Sequence, residues 1–178
     1  MSNIQAQNSS TFDALKDTYG YTNVFQAPRV VKIVVSTGTG SVQDQKKREL
    51  IGDRLARITG QKPAPRGSRQ SIASFKLREG DMVGYQVTLR GRRMQHFLDR
   101  LIKVAFPRTK DFQGVSKNSV DEMGNISIGI AEHTIFPEVP EEELRDVFGF
   151  SVTLVTTAST KEEATALFEH IGIPFRKE

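Results

Sequence analysis

Val83-Gly84-Tyr85-Gln86-Val87-Thr88-Leu89-Arg90 alternates without a break: Val83, Tyr85, Val87 and Leu89 fall on one side, Gly84, Gln86, Thr88 and Arg90 on the other. Successive strand side chains point to opposite faces, so this register predicts a strand with one apolar, buried face and one polar face. Gly91 then hands the chain to a helix in which Met94, Phe97, Leu98, Leu101, Ile102 and Ala105 form an apolar stripe, ended by Pro107. Arg92, Arg93, Arg100 and Lys103 occupy the other side of that helix.

Upstream, Val30-Val31-Lys32-Ile33-Val34-Val35 is a short β-branched run that leads into Ser36-Thr37-Gly38-Thr39-Gly40. Leu50, Ile51, Leu55 and Ile58 mark one face of a helix, with Asp44 as its cap and Gly60 as its stop before Pro63. Lys62 to Ser74 carries prolines, serines, Arg66 and Arg69 but no apolar period, and reads as an exposed basic loop. Downstream, Ile126, Ile128 and Ile130 predict a strand, as does Phe150 to Thr157. Thr160 with Glu163 forms a capping-box pattern ahead of a helix closed by Gly172 and Pro174. Phe12, Leu15 and Tyr19 predict a short helix behind a mobile tail at residues 1–10. The expectation is one α+β domain over residues 11–178: a mainly antiparallel sheet with helices packed on one face, leaving the opposite face and the loops for binding.

Charge is distributed unevenly. Lys62 to Lys110 holds twelve Lys/Arg against three Asp/Glu, whereas Asp121 to Asp146 holds eight carboxylates against one arginine. A concentration of one sign points to a polyanion, because phosphate counterions are released on binding; the alternative is a solvated basic face. Gln86, Thr88 and Arg90 add an amide, a hydroxyl and a guanidinium on a rigid sheet, groups that bond ribose and phosphate oxygens. No aromatic stands among those face residues, so contact with the backbone and shape of folded RNA is favoured over base stacking on single strands.

Other chemistries find less support. The chain has no cysteine, which removes disulfides, thiolate zinc sites and a cysteine nucleophile. No apolar run reaches the roughly 20 residues of a membrane helix, and Met1 to Ser10 lacks the apolar core of a signal peptide; a cytosolic protein without membrane contact is expected. Gly38-Thr39-Gly40 follows a strand and precedes a helix but lacks a Gly-Lys-Ser/Thr end, which favours a tight turn over a nucleotide cofactor site. His96, His133 and His170 have neither metal-ligand nor triad spacing and read as surface or packing residues. Glu141, Glu142 and Glu143 sit in a proline-flanked segment that suits a solvated connection better than a general acid/base pair or a magnesium site. No cofactor or metal is expected, and no enzymatic activity. An RNA-modifying enzyme would need a pocket of convergent carboxylates, a metal or a cofactor loop, and a generic single-strand binder more exposed aromatics.

An ordered series of short strings resembles one family, the bacterial large-subunit ribosomal protein numbered five, which binds 5S ribosomal RNA. The strings include Ile58-Thr59-Gly60-Gln61-Lys62-Pro63, Phe75-Lys76-Leu77-Arg78-Glu79-Gly80, Val87-Thr88-Leu89-Arg90-Gly91, Phe97-Leu98-Asp99-Arg100-Leu101, Phe106-Pro107-Arg108, Phe136-Pro137-Glu138 and Thr156-Thr157-Ala158. Any one string is weak; the series is specific and spans the chain from about Tyr19 to Phe175.

The resemblance implies a structural protein of the ribosomal central protuberance, held among 5S RNA, 23S RNA and neighbouring large-subunit proteins. It implies 5S contact at Gln61 and Thr88, and with them we place Lys32, Ser36, Arg90 and Arg92 on the same RNA. It implies that the loop matching Lys62 to Ser74, with Arg66 and Arg69, faces tRNA in the peptidyl site. The region matching residues 109–146 is implied to lie toward the small subunit, in a bridge to a basic ribosomal protein that its acidic block complements. Relatives usually carry Asn-Met-Gly where this chain has Ser36-Thr37-Gly38, and several lysines where it has Gly67-Ser68-Arg69-Gln70. A serine hydroxyl reaches less far than an asparagine amide, so the contact at Ser36 is expected to differ.

Overall fold

A computed structural model describes residues 4–42, 44–110, 112–139 and 147–176, with side chains described from residue 10 onward. The chain groups into two compact units, one built from Met1–Ile33, Arg90–Ile128 and Thr153–Glu178, the other from Val34–Leu89 and Gly129–Val152. Five strands pair in the order β2-β3-β1-β5-β4, where β1 is Val30–Gly38, β2 Ala64–Gly67, β3 Met82–Leu89, β4 Ile126–Ile130 and β5 Phe150–Thr156. The sheet is mainly antiparallel and the fold α+β, as the order of strands and helices in the sequence predicts.

Burial follows the pleat in β1, β5 and the second half of β3; in the first half of β3 the expected apolar residues Val83 and Tyr85 are half-buried and Gly84 on the other side is buried. Ile33, Val35 and Thr37 of β1, Val87 and Leu89 of β3, and Phe150, Val152 and Leu154 of β5 are buried, while the residues between them stay half-open. Each fully buried aliphatic or aromatic side chain contributes about 1.5–3 kcal/mol. One sheet face is thereby committed to the core and the other left polar.

In the second unit, α2 (Gln45–Thr59) covers the apolar face of β3. Asp44 caps it by accepting from the Lys46 N–H at 2.9 Å, and Gly60 ends it in the left-handed region at φ 68°, where a side chain would be strained. Both ends agree with the sequence. Gly52 lets the Tyr85 ring lie against the helix: a Cβ there would stand 3.0 Å from the ring.

In the first unit, α3 (Gly91–Arg100) buries Met94, Phe97 and Leu98. The helix does not stop at Pro107 as expected. It passes through a π-helical turn, Leu101–Ala105, into a last turn, α4 (Phe106–Arg108). The widened register, in which the Phe106 N–H reaches back to Leu101, carries the chain past the residue that cannot donate to its own helix. α5 (Lys161–Ile171) buries Ala164, Leu167 and Phe168. Its capping box is half-formed: Thr160 accepts from the Glu163 N–H at 3.3 Å, but the Glu163 carboxylate takes the Ser159 N–H at 2.7 Å and the Tyr21 hydroxyl. α1 (Ile4–Tyr19) packs beside α5 and begins within the segment that reads as a tail; residues 1–3 lie outside the described residues. Among the described residues no helix is long and apolar enough to cross a membrane.

The stretch expected as a basic loop is more ordered than its composition suggests. Ala64–Gly67 forms β2, antiparallel to β3 with Ala64 opposite Gln86 and Arg66 opposite Gly84. Proline conceals it: Pro63 and Pro65 argue against an interior strand, but β2 stands at the sheet edge, where a missing N–H is tolerated.

Candidate nucleic-acid interface

The open face of the second unit collects short polar side chains. Ser36 of β1, Gln86 and Thr88 of β3 and Ser151 of β5 are half-buried and alternate with core residues. Gln61 follows the end of α2 and donates its side-chain amide to the Thr88 carbonyl at 3.4 Å. Arg66 extends from β2 and donates its Nε to the Gln86 amide oxygen at 2.7 Å. Ser36 and Ser151 share a hydroxyl hydrogen bond of 2.8 Å across neighbouring strands. The Thr88 hydroxyl makes no hydrogen bond among the described residues.

A shallow concavity of about 580 Å³ opens on this face, lined by Ser36, Thr37, Arg66, Arg69, Gly84 and Gln86. Gly84 is required there: a Cβ would stand 2.4 Å from the Thr37 carbonyl oxygen, so only glycine lets β3 approach the end of β1. Arg66 and Arg69, which the sequence assigns to a separate loop, thus share a surface with Ser36 and Gln86. β2 causes this, by carrying Arg66 onto the sheet.

Lys32, Arg90 and Arg92 belong to the first unit. Lys32 is half-buried on β1; Arg90 stands at the N-cap of α3 without a side-chain cap, and Arg92 is exposed in its first turn. That turn holds no acid. Cations at a helix N-terminus oppose the helix dipole by about 0.3–1 kcal/mol each, a cost that a bound phosphate would reverse. Among the described residues, none of Lys32, Arg66, Arg69, Arg90 and Arg92 forms an ion pair. These charges are left for an external anion or solvent.

Of the remaining candidates, the Gly38-Thr39-Gly40 turn and His133 take structural roles. The Thr39 N–H of Gly38-Thr39-Gly40 is consumed by the Val83 carbonyl at 2.8 Å, so the segment is a tight turn tied to the sheet. His133 is buried with its ring stacked on Phe148, centroids 4.3 Å apart, whereas His96 and His170 are exposed. Glu141, Glu142 and Glu143 lie outside the described residues. Sequence reasoning misses Ser151 and the Arg66–Gln86 pair. The alternation of Phe150 to Thr157 carries a signal for Ser151; the pair depends on β2 and has none.

Two family descriptions cover most of the chain: "Ribosomal protein L5" matches residues 23–78, and the description of the C-terminus of the same ribosomal family matches residues 82–175. The chain is 51% identical over 164 residues to the large ribosomal subunit protein uL5 of Rubrobacter xylanophilus, covering 92% of this chain and 91% of that one. It is 46% identical over 170 residues to the protein of the same name from Flavobacterium johnsoniae, covering 95% and 93%. Against that of Gloeothece citriformis it is 48% identical over 164 residues, covering 92% and 91%. The chain therefore belongs to the ribosomal protein L5 family: a structural, non-enzymatic constituent of the large ribosomal subunit, working in the cytoplasm among ribosomal RNA and large-subunit proteins.

Proposed function

We propose that the RNA held by this chain is 5S rRNA, in the central protuberance, and that the open face of the second unit makes the contact through Ser36, Gln61, Thr88 and Gln86. The observation that carries this reading is a polar, rigid sheet face whose nearby arginines have no carboxylate partner among the described residues. Hydroxyls and amides fixed on strands suit ribose and phosphate oxygens of folded RNA. Lys32, Arg90 and Arg92 supply phosphate contacts from the first unit, and 23S rRNA is a further partner. Arg66, held on β2 by Gln86, stands beside this face and is proposed, with Arg69, to face tRNA in the peptidyl site.

The hairpin beyond β2, with Arg69, is proposed to face tRNA in the peptidyl site. The segment 109–146, whose sequence carries the acidic block from Asp121 to Asp146, is proposed to meet a basic small-subunit protein at an intersubunit bridge, by charge complementarity.

Incubating the purified full-length chain with total cellular RNA tests the principal assignment. Selective recovery of 5S RNA is expected. Recovery in proportion to RNA abundance would remove it.

A further inference from the structure

We propose that Phe75 is a base-stacking contact: its ring, at the tip of the basic hairpin between β2 and β3, docks on an exposed base or terminal base pair of a folded RNA. This deepens the reading above and rests on the hairpin meeting tRNA.

Phe75 is 71% exposed and its neighbour Ile72 40% exposed. Isolated surface hydrophobics need no explanation in themselves. Phe25, at 85%, is likewise exposed on a capped turn; Phe75 is set apart by the cations near it in the chain, and its backbone is firmly held. Ser68 and Asp81 close the stem, with the Ser68 N–H on the Asp81 carbonyl at 2.8 Å and the Gly80 N–H on the Ser68 carbonyl at 3.0 Å. Asp81 also accepts the Arg78 N–H at 2.8 Å, and the Ser71 hydroxyl accepts the Glu79 N–H at 3.0 Å. Nearer the tip, Ile72 and Leu77 exchange backbone bonds of 3.0 and 3.2 Å. The Phe75 N–H is fixed on the Ile72 carbonyl at 3.2 Å, in a 3-10 turn spanning Ala73–Phe75. Lys76 then takes the left-handed conformation at φ 52°, alone among the described non-glycine residues. A side chain rarely accepts that conformation, and here it turns the chain back immediately after the phenylalanine. An exposed ring on a hydrogen-bonded turn loses little freedom on binding.

The surroundings select the partner. Arg69, Lys76 and Arg78 flank the ring in sequence, and none of the three cations forms an ion pair among the described residues. Ser71, Ala73 and Ser74 contribute little apolar area. A protein groove would ask for a wider apolar patch, whereas an exposed aromatic on a cation-bearing hairpin matches a base with its phosphates. The polar sheet face and the hairpin tip thus address RNA by different chemistry.

The test uses assembled ribosomes carrying the full chain, with dissociation of tRNA from the peptidyl site as the readout. Phe75→Ala and Phe75→Leu are expected to speed dissociation about 5- to 150-fold, the range that loss of one stacked base produces. Phe75→Trp is expected to hold tRNA at least as long as the unaltered chain. If Phe75→Leu matches the unaltered chain while Phe75→Ala does not, the contact is apolar packing and stacking is overturned. If no Phe75 variant changes the rate but Arg69→Ala with Lys76→Ala does, the hairpin meets tRNA and the phenylalanine does not stack. If neither set has an effect, the underlying tRNA reading fails and takes the proposal with it. Unchanged thermal melting of the purified variants separates these outcomes from misfolding.

Discussion

Gln61 donates its side-chain amide to the backbone carbonyl of Thr88, 27 residues away, at 3.4 Å. The bond ties the segment leaving α2 to the end of β3 and leaves the Thr88 hydroxyl without a hydrogen-bond partner among the described residues. A hydroxyl presented this way on a rigid strand is suited to an RNA oxygen. Thr88→Val keeps the shape and removes that group. Affinity for 5S RNA at fixed salt is expected to fall by about 1–3 kcal/mol, the cost of an unpaired buried partner. Filter binding of the two proteins measures it, and equal affinities would strike Thr88 from the contact.

Ser36 and Ser151 supply a second check. Their shared hydrogen bond, 2.8 Å and partly buried, is expected to stabilise the second unit by about 0.5–1.5 kcal/mol. A double-mutant cycle with Ser36→Ala and Ser151→Ala, followed by chemical denaturation, isolates that coupling. Strictly additive losses would show that the hydroxyls do not support one another.

How far the sequence reveals this arrangement depends on the kind of signal. Unbroken alternation at Val83 to Arg90 and punctuation by Asp44, Gly60, Thr160 and Gly172 mark the strands and helix ends well, because they reflect local geometry. β2 is hidden: its four exposed residues carry no apolar period, and only pairing with β3 makes them a strand. The π turn before Pro107 is hidden for a similar reason, since packing of Leu101 and Ala105 favours continuing a helix that proline alone would stop. The candidate residues are legible as a set, but that Arg66 shares the sheet surface with Ser36 is not legible without β2.

Gly84 tests the packing of that face. An alanine Cβ would meet the Thr37 carbonyl oxygen at 2.4 Å, contact with backbone that cannot swing aside. Gly84→Ala is expected to cost about 1–3 kcal/mol of stability, as overpacked sites do, with a matching fall in melting temperature. An unchanged melting temperature would mean that β1 and β3 are farther apart than described.

The tyrosines give a pH prediction. Burial raises the phenol pKa of all three, Tyr19, Tyr21 and Tyr85, and for Tyr21 the hydrogen bond to Glu163 raises it further. A pKa raised on folding contributes stability that is present below the unfolded value of about 10 and is lost as pH climbs through the folded values. The chain has no tryptophan, so tyrosinate absorbance is read without interference. All three phenols are expected to ionise above the free tyrosine value, and Glu163→Gln to lower both Tyr21 and Tyr19, each raised by the Glu163 charge. Titration at the free value in the native protein would contradict the Tyr21–Glu163 contact.

On the proposed reading, this face binds folded 5S RNA largely through uncompensated cations and fixed polar groups. Competition binding of 5S RNA against an unstructured RNA of equal length, across a salt series, tests it most directly. A clear preference for 5S RNA is expected, with a steep linear fall of log affinity with log salt, about 0.7–0.9 per phosphate neutralised. Equal affinity for the two RNAs, or affinity indifferent to salt, would contradict it.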